Sequence, residues 1–240
     1  MDSTCQDSTA NPVFAERFEP NPPWKRALDL LICALVLPFL AVCTLVMTII
    51  IRFTSPGPVF FTQERVGYLG RRFTCFKFRT MKVAADTGVH QAYLAELMKS
   101  GKPMVKMDAK HDKRLIPGAW ILRASGLDEL PQLINVLRGE MSFVGPRPCL
   151  PYEYEEYLPW QRQRFRAVPG LTGLWQVSGK NRTTFDEMIR LDIRYAQTKS
   201  LWLDLKIIFM TVPALLMQIG DTRKGRATTP PAPVQSTAAK

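Results

Sequence analysis

Residues 24–52 read WKRALDLLICALVLPFLAVCTLVMTIIIR. From Leu30 to Ile51 no side chain is charged. About 22 residues of helix extend roughly 33 Å, close to the hydrocarbon thickness of a bilayer. Hydropathy alone reads this as one membrane-crossing helix. Two features turn the reading. Pro38 sits inside the run, where it removes a backbone donor and kinks or breaks a helix, leaving pieces too short to cross. Both flanks are also basic, with Lys25 and Arg26 before the run and Arg52, Arg65, Arg71 and Arg72 after it. The positive-inside rule wants one basic flank. A helix that enters, turns at Pro38 and leaves on the same side satisfies both. Residues 24–52 are therefore expected to form a re-entrant, monotopic anchor.

Outward from this segment, residues 1–23 are polar and read as a disordered lead-in, not a secretory signal, because the apolar run starts late and no small-residue cleavage site follows it. Residues 53–219 read as one α-rich α+β domain. After the turn Ser55-Pro56-Gly57-Pro58, short strands at Val59–Thr62 and Phe73–Phe78 flank Gly67 and Gly70, which predicts a hairpin. Helices are expected over His90–Lys99, over Leu127–Leu137 with Gly139 just beyond its end, and over Tyr152–Arg166 as a solvated surface helix. Thr184-Phe185-Asp186-Glu187 fits a capping box that opens a helix running to about Lys199. Leu201–Ile219 is apolar, with Pro213 inside it, and reads as core or as an interfacial helix. Residues 220–240 read as a disordered tail.

Composition narrows the partners. The 240 residues carry 32 Lys+Arg against 21 Asp+Glu, a formal net charge of +11. That excess favours polyanions: anionic lipid, phosphorylated substrates or nucleic acid. Nucleic acid leaves the apolar run unexplained, and no recognition motif is present. Five cysteines without a C-x-x-C pair, and only two histidines, argue against a disulfide framework and against zinc.

The densest chemistry lies at Arg123-Ala124-Ser125-Gly126-Leu127-Asp128-Glu129-Leu130-Pro131-Gln132. Adjacent carboxylates at a helix start, with Ser125 and Asp128 as N-cap candidates and Asp128 favoured because Pro131 then falls in the first turn, have two readings. They are caps, or they are reactive groups. In the second case the positive helix end favours phosphate and keeps an aspartate ionised as a nucleophile, and a divalent cation relieves the repulsion between Asp128 and Glu129. Arg147, rigid between Pro146 and Pro148, suits bidentate phosphate binding or is part of a surface turn. Lys77, Arg79 and Arg65 belong to a basic band over Glu64–Lys82 that suits substrate phosphates or anionic lipid. The glycine-rich Pro169–Lys180 is not a P-loop, because the spacing from Gly173 to Gly179 is one residue too long and Asn181 follows Lys180.

Several stretches, in order, resemble one family: Lys25–Asp29, Ser55–Phe61, Gln63–Gly67, Phe76–Met81, Leu127–Gln132, Gly139–Pro148 and Pro169–Gly179. Over roughly Trp24–Gln218 the chain resembles the bacterial sugar transferases, the monotopic polyprenyl-phosphate phosphoglycosyl transferases, in their minimal form. Leu37 stands before Pro38 where the best-known members carry a Ser. The resemblance implies that Asp128 attacks the sugar-linked phosphate of a UDP-sugar, releases UMP and carries the sugar phosphate until polyprenyl phosphate takes it. It further implies that Glu129 and Asp128 place Mg2+, that Arg123 and Arg147 bind phosphate groups, and that Lys25, Arg26 and Pro38 belong to the re-entrant anchor. The implied location is the cytoplasmic face of a bacterial inner membrane. The implied partners are a UDP-sugar, polyprenyl phosphate and membrane lipid, with downstream glycosyltransferases and a second copy of the chain left open. The rival reading is a basic membrane-associated binding protein without turnover. No motif names the sugar; the unassigned stretch His90–Asp112 is the expected place where the donor is chosen.

Overall fold

A computed structural model describes residues 21–54, 57–81, 98, 115–116, 119–179 and 183–223. The lead-in as far as residue 20, the expected helix over His90–Lys99 apart from Met98, the stretch to Asp112 and the tail beyond Arg223 lie outside the described residues.

Pro23 begins helix α1, Pro23–Thr54, at the first position, where its missing N–H costs nothing. The helical backbone continues through Pro38, so the expected break is not a loss of helix there. One face of α1 is buried along its whole length, at Lys25, Asp29, Cys33, Leu40, Met47 and Ile51. The other faces expose Leu31, Leu35, Phe39, Val42, Leu45, Ile49 and Phe53. Among the described residues α1 is the one helix long and apolar enough to cross a membrane.

Strands β1, Phe60–Val66, and β2, Arg72–Phe78, pair antiparallel from Phe60↔Phe78 to Val66↔Arg72, which is the expected hairpin. Helix α2, Ala119–Ser125, leads into a 3-10 segment, Leu127–Gln132, and then helix α3, Leu133–Arg138. The single helix expected over Leu127–Leu137 is thus divided: Pro131 has no N–H to give an α-helical ladder, and the chain takes the tighter turn. Gly139 closes α3 with φ 79°, a left-handed cap that glycine adopts without strain.

Strand β3, Ser142–Val144, pairs in parallel with β4, Gly170–Thr172. Their backbones approach so closely that a Cβ on Gly145 would stand 2.2 Å from the Val168 carbonyl oxygen. The glycine-rich stretch is therefore a packing device, followed by the short helix α5, Leu174–Val177. Between β3 and β4 lie helix α4, Pro151–Glu156, and a 3-10 segment, Gln161–Arg166. These replace the expected continuous surface helix over Tyr152–Arg166, and Arg164 in the second piece is fully buried. Helix α6, Phe185–Thr198, opens with the capping box read from Thr184 and Glu187. Helix α7, Leu201–Arg223, runs past the expected domain end at 219. It leaves Trp202 79% and Phe209 76% exposed, together with Val212, Leu216 and Met217.

The core that joins these pieces contains Cys33, Leu40, Met47 and Ile51 from α1 with Phe78, Ile116, Ala119, Leu133, Val136 and Met141. Residues from both sides of Pro38 thus pack into one cluster.

Candidate active site

Asp128 and Glu129 stand in the first turn of the 3-10 segment. The turn is made by Gly126, whose φ of 74° suits a residue without Cβ. Gly126 is the cap position and no side chain caps this segment, so Asp128 is not the N-cap the sequence favoured. Ser125 is not either: its Oγ donates to the Leu122 carbonyl at 3.1 Å. The 3-10 segment and α3 are both short, so the helix dipole supplies less positive field than a long helix would. A side chain supplies it instead. Lys77 of β2 donates from Nζ to Glu129 Oε1 at 2.9 Å. Lys77 is 22% exposed and Glu129 38%, so the pair remains in reach of substrate.

Asn135 keeps β2 against the carboxylate segment. Its Oδ1 accepts from the Phe76 N–H at 3.2 Å, and its Nδ2 donates to the Thr74 carbonyl at 2.7 Å and to Glu140 Oε2 at 2.6 Å. Asn135 is fully buried and lies on α3, the helix that follows Glu129 directly. Sequence reasoning passed over it; the one available signal was a polar residue on an otherwise apolar helix face. Arg79 sits just beyond β2, buried, with its N–H on the Val59 carbonyl at 2.9 Å. Arg123 lies in the last turn of α2, one short turn before Asp128.

Arg147 is half-buried on the loop after β3. Arg65 approaches the same loop from β1, but largely as a structural donor. Its Nη1 reaches the Pro148 carbonyl at 3.3 Å and its Nη2 the Gln63 amide oxygen at 2.7 Å. Burial, and then the nearby Arg147 charge, push the Arg65 pKa down; Glu153 and Glu129 oppose them. Through the Pro148 carbonyl Arg65 is bonded to the loop that carries Arg147.

Lys25 and Arg26, at the start of α1, are tied into the folded domain. Lys25 is buried, and its Nζ donates to Asp204 Oδ2 at 2.5 Å, the Val144 carbonyl at 2.8 Å and the Tyr195 hydroxyl at 2.9 Å. Arg26 donates to the Val136 and Leu137 carbonyls at the end of α3. Asp29 accepts from the Ser142 hydroxyl and the Phe143 N–H, both at 2.9 Å. The first turns of α1 are therefore bonded to the segments that carry Arg147 and the carboxylate pair. The sequence reading named Lys25 and Arg26 only as part of the anchor; their partners lie more than 100 residues away along the chain and leave no local signal.

Among the described residues no group of three or more His, Cys, Asp or Glu side chains could hold a metal ion. Cys75 and Cys149 are buried beside the site, and burial pushes both thiols up, Cys149 to about 12, which disfavours the thiolate form at neutral pH.

A sequence model of the bacterial sugar transferases matches residues 21–218. The chain belongs to the bacterial sugar transferase family. It is similar to the exopolysaccharide production protein ExoY of Sinorhizobium fredii, at 37% identity over 82% of this chain and 87% of that protein. It is also similar to the UDP-glucose:undecaprenyl-phosphate glucose-1-phosphate transferase of Caulobacter vibrioides, at 42% identity over 80% of this chain and 69% of that protein. A third relative is the undecaprenyl-phosphate galactose phosphotransferase of Salmonella typhimurium, at 38% identity over 68% of this chain and 34% of that protein. This bacterial sugar transferase is an enzyme of the phosphoglycosyl transferase class.

Proposed function

We propose that the protein transfers a sugar 1-phosphate from a UDP-sugar to polyprenyl phosphate, through a phosphosugar held on Asp128, at the cytoplasmic face of a bacterial inner membrane. The relatives named for UDP-glucose or for undecaprenyl phosphate support the two substrates. The observation that carries the reading is the 2.9 Å contact of Lys77 with Glu129 beside Asp128, where carboxylates meet a cation from a neighbouring strand.

An Asp128 carboxylate oxygen attacks the sugar-bearing phosphorus of the donor. The bond from that phosphorus to the bridging oxygen breaks, and UMP leaves with the electron pair. The sugar phosphate stays as an acyl phosphate on Asp128. A phosphate oxygen of the lipid then attacks the same phosphorus, and the carboxylate is released. Splitting the transfer lets a water-soluble donor and a lipid acceptor use one site in turn. Lys77 and the arginines orient the phosphates and offset the charge that gathers on their oxygens.

The donor set fits Mg2+ carried in on the diphosphate: that ion is usually held by one or two carboxylates plus substrate phosphates. Asp128 and Glu129 would hold it, and when bound it would neutralise phosphate charge. Lys77 shares Glu129 and would have to yield part of it.

Both ends of α1 belong to the folded domain, which supports a re-entrant anchor over a crossing one. The exposed apolar side chains of α1 and α7 would lie in the lipid.

The test is UMP release by detergent-solubilised protein with Mg2+ and polyprenyl phosphate, with UDP-glucose and UDP-galactose as first donors. Wild type should release UMP and Asp128→Asn should not. Undiminished release by the variant would remove Asp128 as nucleophile. Absence of release from a wider donor panel would favour the binding-protein reading.

A further inference from the structure

Arg164 takes part in no step of the reaction above, yet it is among the most completely buried side chains of the molecule. Its Nη1 donates to the Tyr157 hydroxyl at 2.7 Å, and its Nη2 to Asp192 Oδ2 at 2.5 Å and to the Arg147 main-chain carbonyl at 2.8 Å. The rings of Tyr157 and Phe165 each lie 5.6 Å from the guanidinium. A planar fork held by a carboxylate, a phenol and two rings has little freedom. The main-chain atom it grips belongs to the residue that carries the candidate phosphate ligand.

That grip matters because of the loop's composition. Pro146 and Pro148 have no N–H, so the loop's orientation depends on what its carbonyls accept. Pro146 O accepts from the Gly170 N–H at 2.9 Å, and Cys149 O from the Val66 N–H at 2.9 Å. Pro148 O accepts from Arg65 at 3.3 Å. Arg147 O, the midpoint, is given to Arg164. Arg164 also pairs with Asp192.

We propose that Arg164, held by Asp192 and Tyr157, is a positioning residue for donor binding that acts through Arg147. The proposal rests on the reading that Arg147 binds a phosphate of the UDP-sugar. Arg164 keeps the root of the Arg147 side chain fixed.

A double-mutant cycle tests this. UMP release is measured against donor concentration for wild type, Arg147→Ala, Arg164→Lys and the double variant, with UMP affinity by calorimetry as a readout independent of the sugar. Lysine keeps a charge for Asp192 but cannot reach all three partners. Arg147→Ala should raise KM about 10-fold or more. Arg164→Lys should raise KM and the UMP Kd roughly 5-fold with kcat within about 3-fold. In the double variant the second change should add less than about twofold, because its effect passes through Arg147. Effects that multiply, or an unchanged KM in Arg164→Lys, would overturn the proposal. An unchanged KM in Arg147→Ala would overturn the underlying reading instead. Should Arg164→Lys fold poorly in thermal melts, Tyr157→Phe, which removes one hydroxyl from the guanidinium, takes its place in the same cycle. A KM rise with Arg147 present and none without it supports the proposal, and an equal rise in both backgrounds defeats it.

Discussion

Lys77 and Glu129 form a contact whose worth to the fold and whose worth to the reaction differ sharply. Both side chains keep part of their surface in water, so solvent screens the pair and its loss should cost the fold about 0–1 kcal/mol. In the proposed reaction the same cation would face phosphate oxygens as charge accumulates, where one donor contributes roughly 10²-fold or more to rate. Lys77→Met should therefore lower UMP release about 100-fold while the denaturation midpoint moves little. Equal losses in rate and stability would show that Lys77 merely props up Glu129. Asn135 marks the contrast. Asn135 is itself buried and its amide bonds to Thr74, Phe76 and Glu140, so Asn135→Leu should destabilise by roughly 1–3 kcal/mol by stranding those partners. Loss of activity there should follow loss of fold, which comparing the rate with the folded fraction would reveal.

Among the elements, α1 combines two functions that sequence reading assigned to one. Its apolar faces suit lipid, but Lys25, Arg26 and Asp29 are fastened to α3, β3 and α7. Breaking a buried ion pair by removing one partner costs about 3–5 kcal/mol, since the other charge stays buried. Lys25→Met should therefore unfold the domain at lower denaturant even in detergent, where a mere membrane flank charge would have no effect; an unchanged midpoint would contradict the buried pairing with Asp204. What was legible in the sequence were local signals: the hairpin around Gly67 and Gly70, the capping box at Thr184 and Glu187, and the cap at Gly139. What was not legible depended on contacts distant along the chain. Arg164 lies in a run whose charges read as a solvated surface, yet it is buried because Asp192 and the Arg147 carbonyl come to it from elsewhere. The parallel pairing of β3 with β4 was hidden because a three-residue strand carries too little pattern, and its real signal was glycine at Gly145 and Gly170, where backbones touch.

For the molecule as a whole, the question is how α1 meets the bilayer. Its 32 residues would measure about 48 Å if straight, more than a bilayer core. The amino end is bonded to Val144, Tyr195 and Asp204. At the other end Met47 and Ile51 are buried in the cluster that holds Phe78 and Ile116. From Thr54 only a few residues lead to β1 at Phe60, and an extended chain covers at most about 3.6 Å per residue. A helix crossing the bilayer would carry Ile51 away from the domain that its first turn grips, whereas a helix that dips in and returns, or lies along the surface, keeps both ends on it. Labelling distinguishes these. Glu155 is on α4 with its side chain 69% exposed, so Glu155→Cys reports the catalytic side, and Cys5 reports the side from which α1 begins. Buried Cys75 and Cys149, with thiol pKa values pushed up, should stay silent. In intact cells stripped of their outer envelope, an impermeant maleimide should reach neither reporter, and after lysis it should reach both. If Cys5 is labelled from outside while Glu155→Cys is protected, α1 crosses the membrane, and the burial of Ile51 against the catalytic domain has to be given up with the re-entrant reading.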